Sequence, residues 1–172
     1  MSTILTESER TEIEERADAL TSVYTEPAIP VCEIARENGL SVYEADFDER
    51  IRKLAGFCDF KKERIYLNRE GVAQSKNITA AHELGHWILH KECYDKNPEK
   101  YRYMYSKRGR EDIDEGGGRT REREKQADYF ARCLLVPRSL LRRFYTRYSV
   151  AELAEVFNVP RFVMEKRIKE VV

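Results

Sequence analysis

Histidine is scarce in this chain, with three in 172 residues, and tryptophan occurs once. The four cysteines, Cys32, Cys58, Cys93 and Cys133, are widely spaced and form no Cys-x-x-Cys pair. That spacing argues against a thiolate metal site. Nothing in a chain of this length needs disulfides, so reduced thiols and a cytoplasmic location are expected. No run approaches 18 consecutive apolar residues, and the first ten residues carry acid where a secretory leader carries base. Neither a membrane span nor a secretory signal is expected. Net charge is also absent: 31 basic residues balance 31 acidic ones, which argues against a globally basic nucleic-acid binder.

The balance is uneven along the chain. Residues 1–30 hold seven acids and two bases, and residues 137–172 hold eight bases and four acids. Mean hydropathy is −0.68, yet 41% of the residues are hydrophobic, including ten Tyr and seven Phe. Such a chain is too apolar to remain disordered and long enough to bury a core.

Apolar spacing at Ile13, Ala17, Leu20 and Tyr24 predicts a helix over residues 6–25 with an acidic, solvated outer face. Pro27 and Pro30 end it. A short helix over residues 31–37 is expected next, closed by Asn38-Gly39. Residues 40–47 read as a strand, and residues 54–60 and 64–68 as a hairpin around Lys61-Lys62-Glu63. Residues 77–92 form the most apolar helix, with Asn77 or Thr79 as its cap. Residues 93–119 read as a long loop carrying Tyr94, Tyr101, Tyr103 and Tyr105, and as a candidate lid. Helices over residues 121–136, 139–148, 149–157 and 161–172 follow, the third opened by a capping box at Ser149 and Glu152.

All three histidines fall within nine residues, in Ala81-His82-Glu83-Leu84-Gly85-His86-Trp87-Ile88-Leu89-His90. With so few histidines, chance places H-E-x-x-H in such a chain roughly 0.007 times. On a helix, His82 and His86 lie on one face one turn apart, where both imidazoles can bind one zinc ion. Glu83 sits too close to both to be a convenient third ligand. It is placed to take a proton from water whose pKa the metal has lowered.

A third ligand is required. A histidine six residues beyond His86 is ruled out, because position 92 is glutamate. His90 continues the same straight helix and cannot curve round the same ion. It reads as a residue behind the ligands, or as one meeting the helix dipole. On the helix over residues 121–136, Glu124, Ala127, Asp128 and Ala131 form a stripe whose small members permit close approach. Glu124 is therefore the expected ligand. Asp128, one turn away, is placed to accept a hydrogen bond from the far nitrogen of a liganding histidine.

These two segments resemble the ImmA/IrrE family of zinc metallopeptidases. Ile78-Thr-Ala-Ala-His-Glu-Leu-Gly-His-Trp-Ile-Leu-His90 is similar to the family's active-site helix. Glu124-Lys-Gln-Ala-Asp-Tyr-Phe-Ala-Arg-Cys-Leu-Leu-Val-Pro137 is similar to its second signature, with Gln126 where an acid is common and Val136 where methionine is frequent. The resemblance implies a gluzincin-like, mostly helical α+β fold. A small antiparallel sheet would precede the active-site helix within a zincin-like domain over residues 1–136. Residues 137–172 would be a helix-turn-helix-like appendage packed on that domain. It implies one Zn2+ per chain held by His82, His86 and Glu124, with Glu83 as catalytic base. It further implies a metalloendopeptidase of bacteria, phages or mobile elements that cleaves a Cro/CI-like helix-turn-helix repressor.

The C-terminal segment is the one place where a DNA-binding reading has support. Residues 149–171 have helix-turn-helix spacing, with Asn158 able to make the left-handed turn. Yet the helix that would read bases begins Pro160-Arg161-Phe162-Val163, poor in base-reading side chains. Direct DNA binding is therefore the minor expectation. A regulator that sequesters a repressor without cutting it is the third.

Overall fold

The computed structural model describes residues 4–101, 103–107 and 121–172. The chain enters with helix α1 (Glu7–Thr21) and α2 (Val31–Glu37), followed by strands β1 (Ser41–Ala45), β2 (Leu54–Asp59) and β3 (Arg64–Asn68). Helix α3 (Ala73–Lys96) is the longest element. After it come α4 (Pro98–Tyr101), β4 (Tyr103–Lys107), α5 (Arg121–Leu135), α6 (Arg138–Phe144), α7 (Val150–Val156) and α8 (Arg161–Val171). This is an α+β domain, mostly helical.

Local chemistry accounts for several boundaries. Thr6 and Glu9 form a capping box at the start of α1, and Ser149 and Glu152 form another at α7. Gly39 takes φ +86° after α2, where the chain turns into β1. Asn158 at φ +53° makes the tight turn between α7 and α8. α1 stops at Thr21, short of the expected residue 25.

The sheet has order β1-β3-β2-β4 and is mixed, not wholly antiparallel. β2 pairs antiparallel with both β3 and β4, while β1 runs parallel to β3 with Val42 opposite Ile65. The hairpin alternation did not reveal that parallel pair, because β1 returns from a separate segment. One face carries a row of rings, with Tyr43, Tyr66, Phe57 and Phe47 at successive centroid distances of 5.9, 5.0 and 5.7 Å. The other face, with Cys58, Ile65 and Leu67, joins the core against α3. Gly56 permits that approach: a Cβ there would fall 2.7 Å from the Tyr66 carbonyl and 2.8 Å from Thr79 Cγ2.

α3 begins four residues earlier than expected and runs to Lys96. Asn77 and Thr79 therefore lie inside it and cap nothing. Asn77 Nδ2 instead donates to the Asn158 carbonyl, and Thr79 Oγ1 to that of Ser75. The segment read as a loop over residues 93–119 is helical through residue 101, as the end of α3 and as α4, and forms a strand in β4. Residues 108–120 lie outside the described residues, and the lid reading with them. α6 starts one residue before the expected position 139, with Pro137 at its N-cap, and ends at Phe144.

The core is continuous. Ile13 and Ala17 of α1, Leu84 of α3, Phe130 and Leu134 of α5, Leu141 of α6, Leu153 of α7 and Val163 of α8 belong to one buried cluster. The acidic outer face expected of α1 is only partly solvated. Glu14 is half-buried against Arg138 and Arg167, at 2.7 and 2.5 Å, and Arg167 is itself fully buried. All four cysteines are free thiols. Among the described residues, no helix is long and apolar enough to cross a membrane.

Candidate metal centre

The centre forms where α3 crosses α5. Gly85 lets the helices meet: a Cβ there would stand 2.9 Å from Phe130 Cδ1 and 3.3 Å from the Ala127 Cα. Trp87 holds the other flank of α3, donating to the Asn38 carbonyl and packing on Phe60. Across this crossing His82, His86 and Glu124 converge, each offering a ligand atom within 4.8 Å of the others. His82 Nε2 and His86 Nε2 are 3.1 Å apart. Glu124 Oε2 lies 3.4 Å from the first and Glu124 Oε1 3.0 Å from the second.

These three separations suit a small divalent cation. Four-coordinate zinc with bonds of about 2.0–2.1 Å sets its donor atoms about 3.3 Å apart. The electrostatics agree. Burial disfavours a cationic His82, yet the carboxylates of Asp128 and Glu124 outweigh it and raise its pKa to about 10. The centre thus favours positive charge despite being buried.

Asp128 Oδ1 lies 2.9 Å from His82 Nδ1, with its carboxylate on the open side of the centre. Glu83 is wholly buried beside the ligands. Burial and then the Glu83 charge push the thiol of Cys58, on β2, well above its ordinary range. His90 is not at a helix end, since α3 continues for six further residues. Its Nδ1 lies 3.1 Å from His86 Nδ1, and its Nε2 lies 2.9 Å from Gln126 Oε1. Burial, then the charge of neighbouring His86, lower its pKa to about 3.

Gln126 is the participant the sequence did not mark. It stands two residues past Glu124 and reaches a ligand only through His90, so no motif spacing signals it. Of the tyrosines, Tyr94 packs against Phe60, and Tyr101 lies beneath Arg123 at 4.9 Å. The side chains of Tyr103 and Tyr105 lie outside the described residues.

Two histidines on one helix, closed by a carboxylate from a second helix beside a small mixed sheet, define a metallopeptidase-like domain. The peptidase M78 model, the IrrE N-terminal-like domain, matches residues 35–169, and the chain belongs to that family. No curated protein matches the chain. A solved structure of a Mycobacterium tuberculosis transcriptional regulator superposes with a TM-score of 0.62 at 17% identity, over 95% of this chain and 47% of that one. At that identity the likeness speaks for the fold, and this chain spans about half the length of that structure.

Proposed function

We propose that the protein is a zinc-dependent endopeptidase that cleaves a helix-turn-helix repressor of the Cro/CI type. His82, His86 and Glu124 would hold one Zn2+ per chain, and Glu83 would act as general base. The carrying observation is the wholly buried Glu83 beside two histidines whose Nε2 atoms are 3.1 Å apart. A purely structural metal site has no need of a carboxylate there.

When bound, zinc supplies a Lewis acid that polarises a peptide carbonyl and acidifies water. Asp128 accepts the Nδ1 proton of His82 and so turns the Nε2 lone pair of that ring inward. Glu83 takes the proton that the attacking water gives up and passes it to the departing amine. Burial keeps bulk water from competing for that proton.

Residues 137–172 serve in this reading as the substrate-recognition appendage. Their positive charge gives less support to DNA binding than the sequence suggested. Arg138 and Arg167 are held by Glu14, Arg143 by Glu26 and Arg161 by Glu165.

The test is incubation of zinc-loaded protein with a repressor encoded beside it, read by mass spectrometry. A discrete cleavage product is expected, lost in Glu83→Gln while zinc content stays at one per chain. Undiminished cleavage by Glu83→Gln would overturn the role of Glu83. A stable complex with uncut repressor would favour sequestration, and a salt-sensitive, sequence-specific gel shift would favour DNA binding.

A further inference from the structure

The sheet ends on β1, whose outer edge is unpaired among the described residues. Backbone parity determines what that edge offers. The Ser41 amide donates to the Glu63 carbonyl at 3.0 Å, and the Ala45 carbonyl accepts from the Arg69 amide at 3.1 Å. Ser41, Tyr43 and Ala45 therefore turn their backbone groups towards β3, where Tyr43 lies opposite Tyr66. Val42 and Glu44 turn theirs outwards. One of these groups meets a side chain: Arg69 Nη2 reaches the Glu44 carbonyl at 3.4 Å, while Arg69 Nη1 is held by Asp46 at 2.9 Å. The segment Ser41-Val-Tyr-Glu-Ala45 holds neither the lysine nor the proline that commonly blunts a free edge.

Side chains and charge mark the same edge. Tyr43 ends the row of rings on the face away from α3 and is 44% exposed. Beside Ser41 lies the β2–β3 turn, where Lys61, Lys62 and Arg64 outnumber Glu63. Beyond Ala45 lie Asp46, Asp48 and Glu49, all exposed, with Arg50. One end of the strand is thus basic and the other acidic.

A second copy of this edge matches all three features. Set two β1 strands antiparallel about a two-fold axis at Tyr43. Val42 then lies opposite Glu44 of the other copy, and each such pair exchanges both its N–H···O bonds. The basic turn of one copy meets the acidic segment of the other, whereas parallel strands would set like charge beside like. Tyr43 faces its own counterpart, and the row of rings runs on through both sheets. Neighbouring registers match less well. An axis at Val42 sets Glu44 against Leu40, whose amide is already given to the Ala35 carbonyl. An axis at Glu44 sets Val42 against Asp46, past the end of the strand.

We propose that two copies of the chain pair through their β1 edges, antiparallel about Tyr43, joining two four-stranded sheets into one. The contact is a short strand pair with its flanks. It buries less than the roughly 1,200 Å² of a stable complex, so association is weak and depends on concentration. The proposal is independent of the metal reading.

The test is sedimentation velocity of the full chain from about 10 μM to about 1 mM, the range suited to so small an interface. The mean mass should rise from 20.3 kDa towards twice that value. Val42→Pro should stay monomeric throughout. The Val42 amide points outwards, so proline there removes no bond to β3 and the melting temperature should stay close to that of the parent. Copper-catalysed oxidation of Tyr43→Cys should give a disulfide-linked dimer, because opposed residues of a non-hydrogen-bonded pair have Cα atoms about 4.5 Å apart. Ser41→Cys should not, because Ser41 faces Ala45 of the other copy in this register. Peptide mapping by mass spectrometry separates the new bond from the four native thiols.

A parent that is still monomeric at about 1 mM would overturn the proposal. So would a Val42→Pro variant that associates like the parent, or cross-linking through Ser41→Cys and not through Tyr43→Cys.

Discussion

Asp128 Oδ1 stands 2.9 Å from His82 Nδ1, although the two lie 46 residues apart on helices that cross. The carboxylate is mostly exposed and the imidazole buried, so the pair anchors a buried candidate ligand from the open side. Asp128→Ala should lower zinc affinity about ten- to a hundredfold, with little change in the melting temperature of the metal-free protein. Chelator competition and melting separate the two effects. An affinity unchanged by the substitution would mean that Asp128 does not orient His82.

Zinc should stabilise the fold through its three proposed ligands. A ligand that binds only the native state adds about 2.7 kcal/mol at a hundredfold excess over its dissociation constant. Thermal melts with and without chelator should therefore separate for the parent and coincide for His86→Ala. Glu124→Ala should likewise lose bound zinc, read by elemental analysis. Full occupancy in that variant would remove Glu124 from the ligand set.

Gly85→Ala tests the helix crossing. In a solvated helix the change would stabilise by about 1 kcal/mol. Here the new methyl meets Phe130 at 2.9 Å and the Ala127 backbone at 3.3 Å. Overpacking of this kind costs about 1–3 kcal/mol, so a net loss of stability is expected in urea denaturation. Because α5 carries Glu124 and Asp128, zinc affinity should fall as well. A variant more stable than the parent would show that the crossing has slack.

Glu14 sets the acid limb of stability. Burial works against its ionisation, but hydrogen bonds and charge from Arg138 and Arg167 prevail and lower its pKa from 4.5 to about 2. A carboxyl depressed in the folded state contributes stability above its unfolded pKa. That contribution, about 1–2 kcal/mol once solvent screening of the half-buried carboxylate is allowed for, is lost as pH falls from about 4.5 towards 2. Denaturant melts across that interval should show the decline, and Glu14→Gln should flatten it. At neutral pH, Glu14→Ala leaves the buried Arg167 without its principal counter-ion and should cost about 3–5 kcal/mol. Arg167 also donates from Nε to the Val136 carbonyl at 3.0 Å and lies 3.7 Å from Glu170, and a loss below about 1 kcal/mol would mean that these two suffice for it.

The sequence was most informative where a feature depends on short spacing. His82 and His86 share a helix face by arithmetic alone, and the stripe of Glu124 and Asp128 with Ala127 and Ala131 pointed to a close crossing. The Ser149 capping box and the Asn158 turn are equally local. Distant pairings were not legible. β1 joins β3 in parallel although nothing in either strand specifies its neighbour. Glu14 and Arg167 lie 153 residues apart, and hydropathy treats both as surface charges. Gln126 has no pattern of its own, since it contacts His90 and, from a helix 117 residues earlier, Glu9. The ends of α3 were missed because its apolar stripe is shorter than its hydrogen-bonded span.

Helix α1 contacts two things at once. Through Glu9 it reaches the glutamine behind the ligand helix, and through Glu14 it grips α6 and α8. A peripheral helix usually frays alone, at little cost to the rest. Here, opening α1 would release the buried arginine and free the glutamine amide together. Amide exchange in α1 should therefore slow towards the rate of the core helices, and a ligand that pulls α1 away would loosen the metal centre without touching it.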